Sequence, residues 1–269
     1  MPEEKAPLKK KTGKKSITGT YRGRKKIIGD IRFYKNFHSD FLDYDRDIFV
    51  WLPPSYSAAP QKRYAVLYMH DGQNLMDPTT SFIGADWQVD ETVSRLIRNG
   101  RLKEIIIVGI YNTKDRLEEY SDSEKGRNYM KFLVEELKPF IDSNYRTIPD
   151  ARNSAVMGSS MGGLISLLIV WKYPGVFSMA GCMSSSFYYD NEKIFKTIGD
   201  SGKPKSGIKI YIDHGEDGLE RGQKMFALLT GMGFLIGTNI DYFYSPGAEH
   251  NEAAWAERLE RPLLFFFGK

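Results

Sequence analysis

The sequence predicts one α/β domain, a mostly parallel central sheet of about eight strands with helices on both faces. Short β-rich runs alternate with longer segments of helical period from residue 44 to the C-terminus. Several of the short runs are continuously apolar, as strands buried on both faces are. Neither an internal repeat nor a Gly/Pro-rich linker interrupts residues 27–269, so one domain is expected rather than two.

In chain order, residues 44–52 alternate polar and apolar and stop at Pro53-Pro54, which predicts a half-exposed strand. Ala65-Val66-Leu67-Tyr68-Met69 reads as a fully buried strand. A helix is expected from about Gln88, with Val89, Val93, Leu96 and Ile97 on one face, ending at Asn99-Gly100. Ile105 to Ile110 is a second buried strand, and a helix from about 127 aligns Met130, Leu133, Val134, Leu137 and Ile141. Residues 154–157 form a short strand, with Leu164, Leu167, Leu168 and Trp171 marking the helix behind it. Phe177 to Met183, Ile208 to Asp213 and Ile240 to Tyr244 complete the strands; helices are expected near 219–232 and from about 251.

Composition narrows the function classes. With 41% hydrophobic and 13% aromatic residues over 269 positions, the chain can build a sizeable core unaided. Its single cysteine, Cys182, excludes an intrachain disulfide and a cysteine-cluster metal site. No run of about 18 apolar residues predicts a transmembrane helix, and no apolar segment follows the N-terminal charges as in a secretory signal. A cytoplasmic enzyme without membrane association is the expectation. Residues 1–26 hold ten of the 38 Lys/Arg and two of the 34 Asp/Glu, leaving 28 basic and 32 acidic residues in 27–269. The folded body is thus mildly acidic, and the leader reads as a solvated, flexible basic tail. It lacks the aromatic residues that nucleic-acid stacking would use, so no nucleic-acid partner is expected.

Gly158-Ser159-Ser160-Met161-Gly162-Gly163 contains Gly-x-Ser-x-Gly centred on Ser160, between an apolar strand and an amphipathic helix. That context is the nucleophile elbow of the α/β-hydrolase fold. The turn lifts the serine hydroxyl above the sheet edge, and the helix then directs its first amides, Met161 foremost, at a developing oxyanion. In this fold the base follows the nucleophile along the chain. His38 and His70 precede Ser160; His214 falls at the end of a strand, where the acid belongs; His250 opens the last helix and is the candidate base. The acid comes from the segment Tyr211 to Gly218. Asp213 ends or lies in the strand, and Asp217 is preferred on reach, with Glu216 second and Glu220 third. Met69-His70-Asp71-Gly72-Gln73-Asn74 forms the loop that supplies the second oxyanion amide, with Gly72 allowing close approach to substrate and Gln73 as donor.

Together His70-Asp71-Gly72-Gln73-Asn74, the Ser160 motif and His250-Asn251-Glu252-Ala253-Ala254-Trp255 resemble the esterase D group. That group includes feruloyl and acetyl xylan esterases and enterochelin-esterase-like proteins. Arg46-Asp47, the Trp51 to Tyr56 segment and Trp87-Gln88-Val89-Asp90 fit the likeness, which runs from about residue 30 to the end. The resemblance implies an α/β-hydrolase core and ester hydrolysis without metal or organic cofactor. By position it implies Ser160 as nucleophile, His250 as base, and Gln73 with Met161 as oxyanion amides. Many members carry the acid three residues after the glycine matching Gly215, where this chain has Gly218. A histidine that follows the glycines in formylglutathione hydrolases is replaced here by Leu164.

The expected activity is carboxylic-ester hydrolysis through a Ser-His-Asp triad, on a small-molecule or carbohydrate-linked ester with an acetyl or feruloyl group. The alternatives are an acyltransferase using the same triad and a non-catalytic binding protein on this scaffold. The pocket is expected from residues 114–127 and 184–206, with Gly72, Arg116, Tyr120 and Trp255 as substrate contacts.

Overall fold

A computed structural model describes residues 26–202, 204 and 207–269; the basic leader, all but its last residue, lies outside the described residues. Eight strands form one sheet: β1 (Asp30–Phe37), β2 (Arg46–Leu52), β3 (Ala65–His70), β4 (Ile105–Ile110), β5 (Ser154–Ser159), β6 (Met179–Met183), β7 (Lys209–His214) and β8 (Ile240–Tyr244). Their spatial order is β1-β2-β4-β3-β5-β6-β7-β8. β1 and β2 run antiparallel at one edge, and from β3 and β4 through β8 all neighbours are parallel. This is the α/β-hydrolase architecture, mixed only at its first edge.

The order has a consequence for function. From β3 the chain steps to β4 on one side, then jumps back across β3 to place β5 on the other. Open α/β sheets bind ligands at such a reversal, outside the carboxyl ends of the strands. Met69 pairs with Met157, so the loops after β3 and β5 leave the sheet side by side.

Alternation along the strands divides the core into two layers. Val66 and Tyr68 of β3 and Ile106 and Val108 of β4 face one side, packed under α3 (Glu124–Lys131), α4 (Lys138–Asn144), α5 (Met161–Lys172), α6 (Tyr189–Ser201) and α7 (Leu219–Gly231). Leu67, Met69, Ile105 and Ile107 face the other, under α1 (Val89–Arg98), α8 (Glu252–Arg258) and α9 (Glu260–Phe267). A single short turn of helix, α2 (Arg116–Glu119), lies between β4 and α3. α5 buries eleven residues from Met161 to Trp171, because it is wedged between the sheet and its neighbours rather than lying on the surface.

The structure departs from the sequence reading in several places; the helix expected from about 127 is interrupted by a π-helical stretch, Phe132–Leu137, between α3 and α4. β1 was not expected: its inward residues do not alternate, since a bulge between Tyr34 and Phe37 shifts the register against β2. The segment 184–206, expected to build the pocket, contains α6. The last helix is two helices, because Pro262 offers no N–H to the carbonyl of Arg258 and the ladder breaks at Leu259. Among the described residues no helix is long and apolar enough to cross a membrane.

Candidate active site

Ser160 sits at the sharp turn between β5 and α5 with φ 56° and ψ −123°. A non-glycine residue held there is strained by on the order of 1–3 kcal/mol and persists only where its surroundings enforce it. They do so here: Ser160 N–H donates to the Met183 carbonyl (2.9 Å), and its own carbonyl accepts from Leu164 N–H (3.2 Å) and Ser186 N–H (3.0 Å). Gly158 is required by space. A Cβ there would lie 2.9 Å from the Gly162 carbonyl carbon. The Ser160 hydroxyl hydrogen-bonds that of Ser186 at 3.0 Å.

Across the pocket His250 precedes α8, and its Nδ1 meets Asp217 Oδ2 in a close hydrogen bond. A carboxylate only accepts, so Nδ1 carries a proton, and in the neutral ring the lone pair falls to Nε2. The Trp255 ring packs edge-on to the imidazole, centroids 5.1 Å apart, and limits its swing. Glu216 turns away: its Oε1 accepts from Tyr244 Oη (2.7 Å) and Gly247 N–H (2.8 Å). Asp213 is fully buried, accepts from Arg258 and from Ser184 N–H, and burial raises its carboxyl above the usual range. The Glu220 side chain is 90% exposed. Of the four acids considered, Asp217 is the one that reaches the histidine.

The loop after β3 is a 3-10 turn, Gly72–Asn74, entered through Asp71 in the left-handed region (φ 56°, ψ 48°). The backbone amides of Gln73 and Met161 have no hydrogen-bond acceptor among the described residues. Arg116 donates from Nε and Nη2 to both oxygens of Asp71 (2.8 and 2.7 Å), and Asn112 Nδ2 adds a third bond at 2.6 Å. Burial pushes the Asp71 carboxyl up, but the Arg116 guanidinium outweighs it and holds the group below the usual carboxylate range.

One cavity of about 380 Å³ gathers these parts. It is lined by Asp71, Gln73, Asn74, Phe82, Ile83, Asn112, Arg116, Ser159, Ser160, His250, Glu252 and Trp255. Among the described residues one acidic trio, Asp86, Asp90 and Glu91, brings its oxygens within 4.8 Å of one another; it does not line this cavity.

Residues 39–266 match the model of the Esterase family, described as "Putative esterase". The chain belongs to this esterase family. It is 23% identical over 253 residues to the uncharacterized protein YbbA of Bacillus subtilis, covering 84% of this chain and 94% of that one. It is 29% identical over 223 residues to the endo-1,4-beta-xylanase/feruloyl esterase of Xylanibacter ruminicola, covering 81% of this chain but only 29% of that much longer protein. Among solved structures, a ferulic acid esterase superposes with TM-score 0.71 at 21% identity, covering 89% of this chain and 98% of that one. The enterobactin esterase FES of Shigella flexneri superposes with TM-score 0.72 at 18% identity, covering 90% of this chain and 59% of that one. The protein is a serine esterase, a hydrolase of carboxylic esters.

Within the esterase, Ser160, His250, Gln73, Arg116 and Trp255 all line one cavity, and Met161 follows Ser160 directly as the first residue of α5. Two expected substrate contacts do not line it. Tyr120 is fully buried and receives the Asp71 N–H at 3.4 Å, so it supports the loop from beneath. Gly72 is needed by packing: a Cβ would lie 2.7 Å from the Tyr111 ring and 2.9 Å from the backbone of β4. None of the described residues of 184–206 lines the cavity; Phe187 is buried, and the rim comes instead from Phe82 and Ile83. His214, the second histidine after the nucleophile, is buried, and a Cβ at Gly222 would come within 2.2 Å of its ring.

Glu252 is a site residue that no motif role in the sequence marks. It lines the cavity, accepts from Asn74 Nδ2 at 3.0 Å, and burial together with the Asp71 charge raises its carboxyl. Its position two residues after His250 was the available signal.

Proposed function

We propose that the protein hydrolyses carboxylic esters through an acyl-enzyme on Ser160, with His250 as general base, Asp217 orienting it, and the Gln73 and Met161 amides binding the oxyanion. The observation that carries this reading is the Asp217–His250 hydrogen bond opening onto the same cavity as Ser160. Asp217 fixes the tautomer, so Nε2 is available to take the serine proton once the hydroxyl rotates from Ser186. Ser160 Oγ attacks the ester carbonyl, the tetrahedral oxygen gains the two amides, and His250 returns the proton to the leaving alcohol. Water then repeats the sequence on the acyl-enzyme.

The substrate is proposed to be an acetyl or feruloyl ester of a carbohydrate or small alcohol. Phe82, Ile83 and Trp255 supply an apolar wall suited to an aryl acyl group. The Arg116 charge is taken up by Asp71, so the cavity offers no unpaired cation for an anionic acyl group. The likenesses to a ferulic acid esterase and a xylanase/feruloyl esterase agree with that choice.

The test is hydrolysis of aryl esters from acetyl to feruloyl by wild type and Ser160→Ala. Turnover should fall by about 10⁴-fold or more in the variant, with an unchanged melting temperature. A variant retaining activity near the parent level would end the reading.

A further inference from the structure

We propose that Arg116 and Asn112 act as positioning residues, clamping the Asp71 side chain so that the turn 71–74 holds its amides in place for the oxyanion. The proposal deepens the esterase reading above and rests on it for its catalytic consequence. Sequence order alone suggests the simpler role of substrate contact for Arg116, and the geometry points elsewhere. Both oxygens of Asp71 are engaged by Arg116, at 2.8 and 2.7 Å, in the two-pronged arrangement that only a guanidinium makes.

All three polar side chains of the turn are held, those of Asp71 and Gln73 by the clamp and that of Asn74 by Glu252. Asn112 Nδ2 donates to Asp71 Oδ1 at 2.6 Å, and Asn112 N–H donates to Gln73 Oε1 at 3.2 Å. Glu252 takes the amide of Asn74 at 3.0 Å, and Thr80 Oγ1 donates to the Gln73 carbonyl at 2.6 Å. Asp71 itself sits in left-handed backbone, a conformation that needs its side chain and neighbours to hold it. With the carboxylate released, the turn can relax to ordinary backbone, and the Gln73 N–H swings away from the carbonyl it must meet. A displacement of about 1 Å in a positioned catalytic group costs on the order of 10²-fold in rate. The guanidinium also stacks over Tyr120, 5.2 Å from the ring centroid, which holds the clamp from below.

Two measurements test this. The first needs no turnover: hydrogen exchange at the Asn74 and Leu75 amides, which close the turn on Asp71 and Gly72, in wild type, Arg116→Ala and Asn112→Ala. Exchange there should accelerate at least about tenfold in Arg116→Ala, less in Asn112→Ala, with β5 unchanged. Unchanged exchange at the turn overturns the clamp. The second is steady-state kinetics with an aryl ester. Arg116→Ala should lower kcat by about 10²-fold with KM moving less than about threefold, and Arg116→Lys should recover only part, since a lysine cannot bridge both oxygens. A raised KM with kcat intact would overturn the proposal in favour of a substrate contact. Loss of Ser160-dependent turnover in the wild type would sink the esterase mechanism, while the exchange result would still decide the clamp.

Discussion

The two sides of the cavity are built differently. The nucleophile and oxyanion side is densely bonded: the Asp71 side chain is 8% exposed and held by three side-chain bonds, and the half-buried Ser160 is tied through both its amide and its carbonyl. The proton-relay side is open. Asp217 and His250 side chains are 42% and 36% exposed, and the Asp217 carboxylate meets His250 alone among the described residues. Charge stabilisation depends on donors that are already in place when charge develops, so that side must be rigid. A proton relay needs a group that can turn between nucleophile and leaving alcohol, and it tolerates water beside it.

The contrast can be broken or sharpened by substitution. After Ser160→Ala itself, the largest effect is expected at the open side, where Asp217→Asn removes the acceptor that fixes the His250 tautomer. We expect a fall in kcat of about 10²- to 10³-fold, less than for a buried triad acid because solvent can partly replace an exposed carboxylate. Steady-state kinetics with an aryl ester check it, and a loss below tenfold would mean that His250 needs no fixed partner.

A second effect comes from the buried histidines. Burial lowers His70 to about 3 and His214 to about 4. An unfolded histidine titrates near 6.5, so the folded state is favoured above that value. The advantage is lost as pH falls from about 6.5 towards 4 and 3, with a slope approaching ~1.4 kcal/mol per pH unit for each ring. Asp213 and Glu252, raised by burial, have the opposite sign: their contribution is present at low pH and lost as pH rises through their raised values. Urea midpoints followed from about pH 7 to pH 5 should therefore fall less steeply for His214→Gln than for wild type. Parallel curves would contradict this account of His214. The smallest effect is expected for Glu216→Gln, whose carboxylate serves Tyr244 and Gly247; kcat should stay within about threefold of wild type. A fall comparable to that of Asp217→Asn would reassign the acid.

What was legible in the sequence follows the same division. Ser160 and the Gln73 turn announce themselves because strained or close-packed backbone demands glycines at fixed spacing. Buried strands such as Ile105–Ile110 show as unbroken apolar runs. The choice between Glu216 and Asp217 was open, since adjacent carboxylates differ only in which way the loop turns them. Arg116 stands in a candidate pocket segment, but its bond to Asp71 joins residues 45 apart and leaves no local pattern. Tyr120 is ambiguous in sequence because an aromatic residue in a polar segment reads the same whether it stacks on a ligand or packs beneath a loop. Phe82 and Ile83 form the rim without any motif to mark them.

The most direct test of the central claim is trapping of the acyl-enzyme. Wild-type protein mixed with a slowly deacylating aryl ester should show a burst of released alcohol and gain the mass of one acyl group. That mass should map to the peptide containing Ser160 and be absent from Ser160→Ala. Full turnover without any adduct, with Ser160→Ala as active as wild type, would contradict nucleophilic catalysis by Ser160.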